Sequence, residues 1–246
     1  MLSPLDHVLV WDLETVPDLA AVARANGLPE ADSQSASAII GEKFPKHLWH
    51  EIICIGALIA SRADEHWEVQ AIGAPHIGQR TEAELIETFV ARIAELRPRL
   101  VGFNTNGFDL PVLRYRAMLH RVRAPGLACK PYFRRYTDDA EDLCDIFGSF
   151  GSGGKATLNE ICRTLGLDGK TDGIDGSKVR QFVEEGRVDE VASYCQQDVI
   201  CTYRLWLIHE LFCARLSQEG YAASEESLRA KLATREALSP VAEVAA

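Results

Sequence analysis

In "HVLVWDLE" (7–14) the side chains of an extended chain fall alternately on two faces. Val8, Val10, Asp12 and Glu14 share one face, and Leu9, Trp11 and Leu13 share the other. The pattern predicts a strand buried on both sides whose apolar stripe continues into two carboxylates. Further strands are predicted at 51–60 ("EIICIGALIA") and 66–73 ("HWEVQAIG"), with a polar, Ala/Ser-rich excursion between the first two. Thr81 and Glu84 then form a capping box, after which Leu85, Ile86, Phe89, Val90, Ile93 and Leu96 recur at helical spacing up to Pro98.

"RLVGFN" reads as a short strand. "FDLPVLRYRAMLHR" reads as a helix with Asp109 as its N-cap candidate and Pro111 in the first turn. A strand is predicted at "DLCDIF" (142–147), a helix after the Thr157/Glu160 capping box, and a long helix from Val188 to Arg215. Three strands followed by alternating helix and strand predict an α/β fold: a mixed sheet flanked by helices. The assignment adopted is one domain over 1–220, with 221–246 as a marginal helix or flexible tail.

With 246 residues, 47% of them hydrophobic, the chain can bury a large core. It has no run near the roughly 20 apolar residues of a membrane span and no basic-apolar-small leader at its N-terminus, which predicts a cytoplasmic protein without a membrane partner. Seven cysteines (Cys54, Cys129, Cys144, Cys162, Cys195, Cys201, Cys213) lie mostly in apolar runs without a C-x-x-C pair, so reduced, buried thiols are expected. Histidines 47 and 50 could share a turn but have no evident third ligand, and they read as surface residues.

A net charge of -10 excludes a protein coated in positive potential. It leaves room for a local basic groove. From Leu110 to Thr137 there is no Asp or Glu, while Arg114, Arg116, Arg121, Arg123, Lys130, Arg134 and Arg135 alternate with Tyr115, Tyr132, Phe133 and Tyr136. Cations for phosphates and aromatic faces for unpaired bases suit a single-stranded nucleic acid; a solvated helix face followed by a basic loop is the alternative. "GSFGSGGK" fails as a phosphate-binding loop, because Ser149 and Ala156 stand where glycine and Ser/Thr are needed. "DGKTDGIDGSKV" fails as a calcium loop, with Lys170 and Val179 at ligand positions, and reads as a flexible loop.

Two more carboxylates remain to be explained. Asp198 falls on the same helix side as Val191, Cys195, Thr202 and Leu205, with Tyr194 one turn before it. A buried, hydrogen-bonded Asp is the alternative to a ligand there. Asp109 can cap its helix and still offer lone pairs to a metal or a water.

Together "WDLET", "GFNTNGFDLPVL" and "YCQQD" resemble the three motifs of the DEDD superfamily of 3'-5' exonucleases, in the subset with tyrosine in the last motif. The likeness is to the proofreading exonuclease domain of family-B DNA polymerases and its stand-alone bacterial relatives. "FPKHLWHEIICIGAL" and "KATLNEICRTLG" also look like this family, so the resemblance spans roughly 7–215.

The resemblance implies a ribonuclease-H-like fold and phosphodiester hydrolysis with two divalent cations. It implies that Asp12, Glu14, Asp109 and Asp198 hold the ions and that Tyr194 orients the attacking water. Oxygen ligands suit Mg²⁺ or Mn²⁺. The expected partner is the 3' end of a single-stranded nucleic acid, DNA before RNA, and Asn104, Arg114, Arg121, Arg134 and Arg135 are the candidates to contact it. An exoribonuclease or short-oligonucleotide nuclease, and a noncatalytic nucleic-acid-binding module, remain as alternatives.

Overall fold

The structure, a computed structural model, describes residues 7–167, 176 and 178–238. The strands are β1 (His7–Pro17), β2 (His50–Ala63), β3 (His66–Gly73), β4 (Arg99–Gly102) and β5 (Ala140–Asp142). The helices are α1 (Leu19–Ala25), α2 (Ser33–Ile40), α3 (Glu82–Leu96), α4 (Asp109–Leu119), α5 (Pro125–Ala128), α6 (Leu143–Phe147), α7 (Leu158–Thr164), α8 (Val179–Glu184), α9 (Val188–Phe212) and α10 (Gln218–Leu238).

The strand order is β3-β2-β1-β4-β5. β1, β2 and β3 pair antiparallel, while β4 runs parallel to β1 and β5 parallel to β4. This is the expected α/β fold, a ribonuclease-H-like mixed sheet with helices on both sides.

Alternation along β1 divides the core. Val8 and Val10 pack with Leu58, Val199, Tyr203 and Trp206 on the α9 side. Leu9, Trp11 and Leu13 pack with Leu85, Phe89 and Leu113 on the side of α3 and α4, where the Trp11 and Phe89 rings lie 5.1 Å apart. Both capping boxes form as the sequence predicts, at α3 and at α7.

Several expectations change. The segment 142–147 is mostly helical: β5 ends at Asp142, whose carboxylate accepts the Cys144 and Asp145 N–H groups and starts α6. The polar excursion after β1 contains α1 and α2, which bury Val22, Ala23 and Ala36 in a small core of their own. The C-terminal segment expected as a marginal helix or flexible tail holds most of α10 (Gln218–Leu238), which lies on β3; Ser224 and Ser227 hydroxyls accept the Trp67 and Val69 N–H groups at 2.9 Å and so satisfy the edge strand.

His50 is buried, bonded to the Thr15 hydroxyl at 2.9 Å, and is not a surface residue. None of the seven cysteines is in a disulfide, as expected, but Cys129 is exposed and Cys213 half-buried. The loop read at 168–179 lies largely outside the described residues. Among the described residues no helix is long and apolar enough to cross a membrane.

Arg116 departs furthest from the reading of its stretch as a basic surface. It is 3% exposed and pairs with Glu82 and Asp18, tying α4 to α3 and to the end of β1. Glu82 also accepts the Ile52 N–H at 2.8 Å and contacts His120. Removing only the cation strands a buried carboxylate, so Arg116→Leu is expected to cost about 3–5 kcal/mol in chemical denaturation. Combining it with Glu82→Gln is expected to restore much of that loss. Equal losses in the single and double variants would show that the charge pair is not the source.

Candidate active site

β1 is paired with β4 only at Val8, Leu9 and Val10, so its last residues extend past the end of that neighbour. Asp109 occupies the gap. Its carboxylate accepts the Leu13 N–H at 3.0 Å, standing in for a strand that is not there. The N-cap of α4 is Phe108, which makes no side-chain cap bond; Asp109 is the first helical residue and does not serve as the expected cap. The physical reason is that the Leu13 amide supplies a buried donor, whereas a cap bond would point the carboxylate back along its own helix.

Two tight turns place Asp109. A Cβ on Gly102 would lie 2.1 Å from the Thr105 methyl carbon, so only glycine lets β4 turn away there. Asn104 then adopts φ +66°, and the Asn104 and Asn106 N–H groups both donate to Asp142 at 2.8 Å. Asp142 therefore ties the loop before α4 to the end of β5. It was not among the residues the sequence singled out, although an Asp two and three residues before amides of a helical turn is a capping signal.

On the opposite side of β1, Asp12 pairs in register with Gly56 and Glu14 with Cys54. A Cβ on Gly56 would meet the Cys195 sulfur at 2.7 Å and Val199 at 2.9 Å. Glycine thus allows α9 to lie against the sheet beside Asp12. Oxygens of Asp12 and Glu14 and the Cys195 sulfur lie within 4.8 Å of one another, a spacing that could hold a metal ion. Asp109 and Asp198 stand outside that group. Asp198 is 8% exposed on the apolar side of α9, beside buried Val191, Cys195, Thr202 and Leu205, and Tyr194 is half-buried just before Cys195.

Carboxylates are thus positioned to bind metal. The donor set fits a hard cation: Asp12 and Glu14 are next to each other on one face, and the Asp109 oxygens are already desolvated. A second group, Glu141, His209 and Glu210, has similar spacing, but Arg99 and Arg215 enter it as counter-charges and Trp206 donates to Glu141 at 3.2 Å. That group is a structural ion network.

The proposed substrate contacts separate into two sets. Asn104, Arg114 and Arg135 line one hollow of about 390 Å³ together with Leu110, Phe133, Asp145 and Lys155. Arg121 and Arg134 are exposed and do not line it. Arg135 is held by both oxygens of Asp145, at 2.8 and 2.9 Å. A second hollow, of about 340 Å³, adjoins Glu14 and is bordered by Phe44, His50, Phe108 and Arg180.

Burial raises the Asp109 carboxyl to about 7; the Leu13 N–H opposes the shift and the charge of Asp142 adds to it. An unfolded Asp titrates near 3.9, so between these values the folded chain keeps a proton that the unfolded chain has released. This contribution to stability is complete at acid pH and is lost as pH rises towards 7. In chelator, the parent is expected to lose unfolding temperature relative to Asp109→Asn across that window. A difference between the two that does not change with pH would contradict the assignment.

A family model described as a predicted 3'-5' exonuclease related to the exonuclease domain of PolB matches residues 42–243. The match includes Asp109, Tyr194 and Asp198, and it begins after Asp12 and Glu14. No curated protein matches the chain. Covering most of the sequence, the match establishes that this chain belongs to the family of predicted 3'-5' exonucleases related to the exonuclease domain of PolB.

Proposed function

We propose that the protein removes nucleoside 5'-monophosphates from the 3' end of single-stranded DNA, with two divalent cations, Mg²⁺ or Mn²⁺, held by Asp12, Glu14, Asp109 and Asp198. The observation that carries this reading is the pair Asp12 and Glu14 on one face of β1, with the buried Asp109 carboxylate bonded to the Leu13 amide between them. Asp12 and Glu14, so close together, repel one another, and Asp109 is buried at an expense in hydration; a structural role would require neither. Bound cations would supply charge neutralisation and Lewis-acid assistance to phosphodiester hydrolysis.

The remaining roles belong to the side chains of this chain. Asp109 fixes the start of α4 against β1 through the Leu13 amide. Tyr194 orients the attacking water through its hydroxyl, as a hydrogen-bonding group. Asn104 and Arg114, on the hollow that begins at Leu110, bind the strand behind its 3' end. Arg135 is already neutralised by Asp145 and adds little net charge to that hollow.

The test is incubation of 3'- and 5'-labelled single strands of DNA and RNA with Mg²⁺, with Mn²⁺ and with EDTA. Stepwise loss of nucleoside 5'-monophosphates from the DNA 3' end, abolished by EDTA, is expected. Asp198→Asn is expected to lose nearly all activity, and Tyr194→Phe to be slowed while it keeps the stabilisation by Mn²⁺ seen in the parent. Degradation that survives chelation, or that starts only at the 5' end, would overturn the proposal. Metal-dependent activity confined to RNA or to very short strands would favour those substrates, and binding without hydrolysis the noncatalytic module.

A further inference from the structure

The loop "GSFGSGGK" (148–155) has the glycines of a phosphate loop without its pattern, yet it carries a feature that glycine spacing does not explain. Phe150 adopts φ +53° and its neighbour Ser149 φ +49°. Tyr136, at the end of the acid-free stretch, adopts φ +67°. A bulky L side chain in this region is strained and is kept only where something else requires it.

The two strained aromatics meet. Their ring centroids are 4.7 Å apart, and the Arg135 guanidinium lies over both, 5.6 Å from Tyr136 and 5.8 Å from Phe150. Burial does not account for the pairing, since Tyr136 is 71% exposed and Phe150 40%. The core gains little from them.

Their position relates them to the site. Arg135 and Lys155 line the same hollow as Leu110, the neighbour of Asp109. Arg114 and Phe133 line it too, with the Arg114 guanidinium 4.9 Å from the Phe133 ring. Arg135 thus belongs both to this hollow and, through its guanidinium, to the Tyr136–Phe150 pair. Asp145 fixes the plane of Arg135 through two hydrogen bonds, which suits the guanidinium to stacking rather than to a free phosphate contact.

We infer that Tyr136, Phe150 and Arg135 form a stacking platform for the bases of a single strand upstream of its 3' end. The inference rests on the nuclease reading for where that end lies. Unpaired bases offer free faces to such a platform and bases within a duplex do not, so the platform selects single strands without reading sequence.

The test measures equilibrium binding in EDTA, which separates it from hydrolysis. A 5'-fluorescent single-stranded DNA of about 12 nucleotides is titrated with the parent, Tyr136→Gly and Phe150→Gly. Loss of one stacked base is expected to weaken binding on the order of tenfold. The difference is expected to vanish on an abasic strand of equal length, which keeps the phosphates and removes the stacking faces. Because glycine relieves the left-handed conformation, both variants are expected to unfold at no lower temperature than the parent, whereas a structural role for the pair predicts a drop. Unchanged binding of the base-bearing strand by both variants overturns the platform even if the protein is an active nuclease. Weakened binding supports it even if no hydrolysis is seen, and a parent that neither binds nor cleaves single strands overturns both readings.

Discussion

The hydrogen bond from the Leu13 amide to the Asp109 carboxylate is the contact on which the geometry of the site depends. β4 ends before β1 does, and a backbone N–H turned into the interior needs an acceptor. Asp109 supplies it across 96 residues of chain, and in doing so anchors the first turn of α4 to β1 at Leu13. Much of the surrounding structure serves this placement: Gly102 permits the turn, Asp142 holds the loop by its amides, and Arg116 ties α4 to α3 and β1. The result is a desolvated carboxylate whose proton affinity has risen to about 7, a group for which a divalent cation can compete with a proton.

What the sequence made legible was what local periodicity controls. The two faces of β1, the capped starts of α3 and α7, and the Asp198 side of α9 all follow from spacing within one element. The role of Asp109 was only half legible, because a carboxylate after a strand and turn looks like an N-cap and its actual donor is remote in sequence. "DLCDIF" was misread for a similar reason: a short apolar run suits strand or helix, and Asp142 decides for helix through amides of its own turn while gathering others from the distant loop. His50 and Arg116 were drawn inward by partners that no local pattern reveals.

Charge is distributed to match. The chain carries a net charge of -10, and the structure divides its acid-free stretch by task. Arg116 braces the fold, Lys130 pairs with Asp139 at 3.0 Å, Arg135 is fixed by Asp145, and Arg114 faces the hollow beside Asp109. The hollow lined by Asn104, Arg114, Arg135 and Lys155 thus carries cations within a chain that is acidic overall.

The most direct measurement of the central claim is the number of Mn²⁺ ions bound per chain, counted by electron paramagnetic resonance in the parent and in Asp12→Asn, Glu14→Gln and Asp109→Asn. The account predicts about two ions in the parent, as a two-cation site requires, and weaker or fewer ions in each variant while the fold persists. Mn²⁺ binding that is the same in the parent and all three variants, or that is absent from the folded parent, would contradict it.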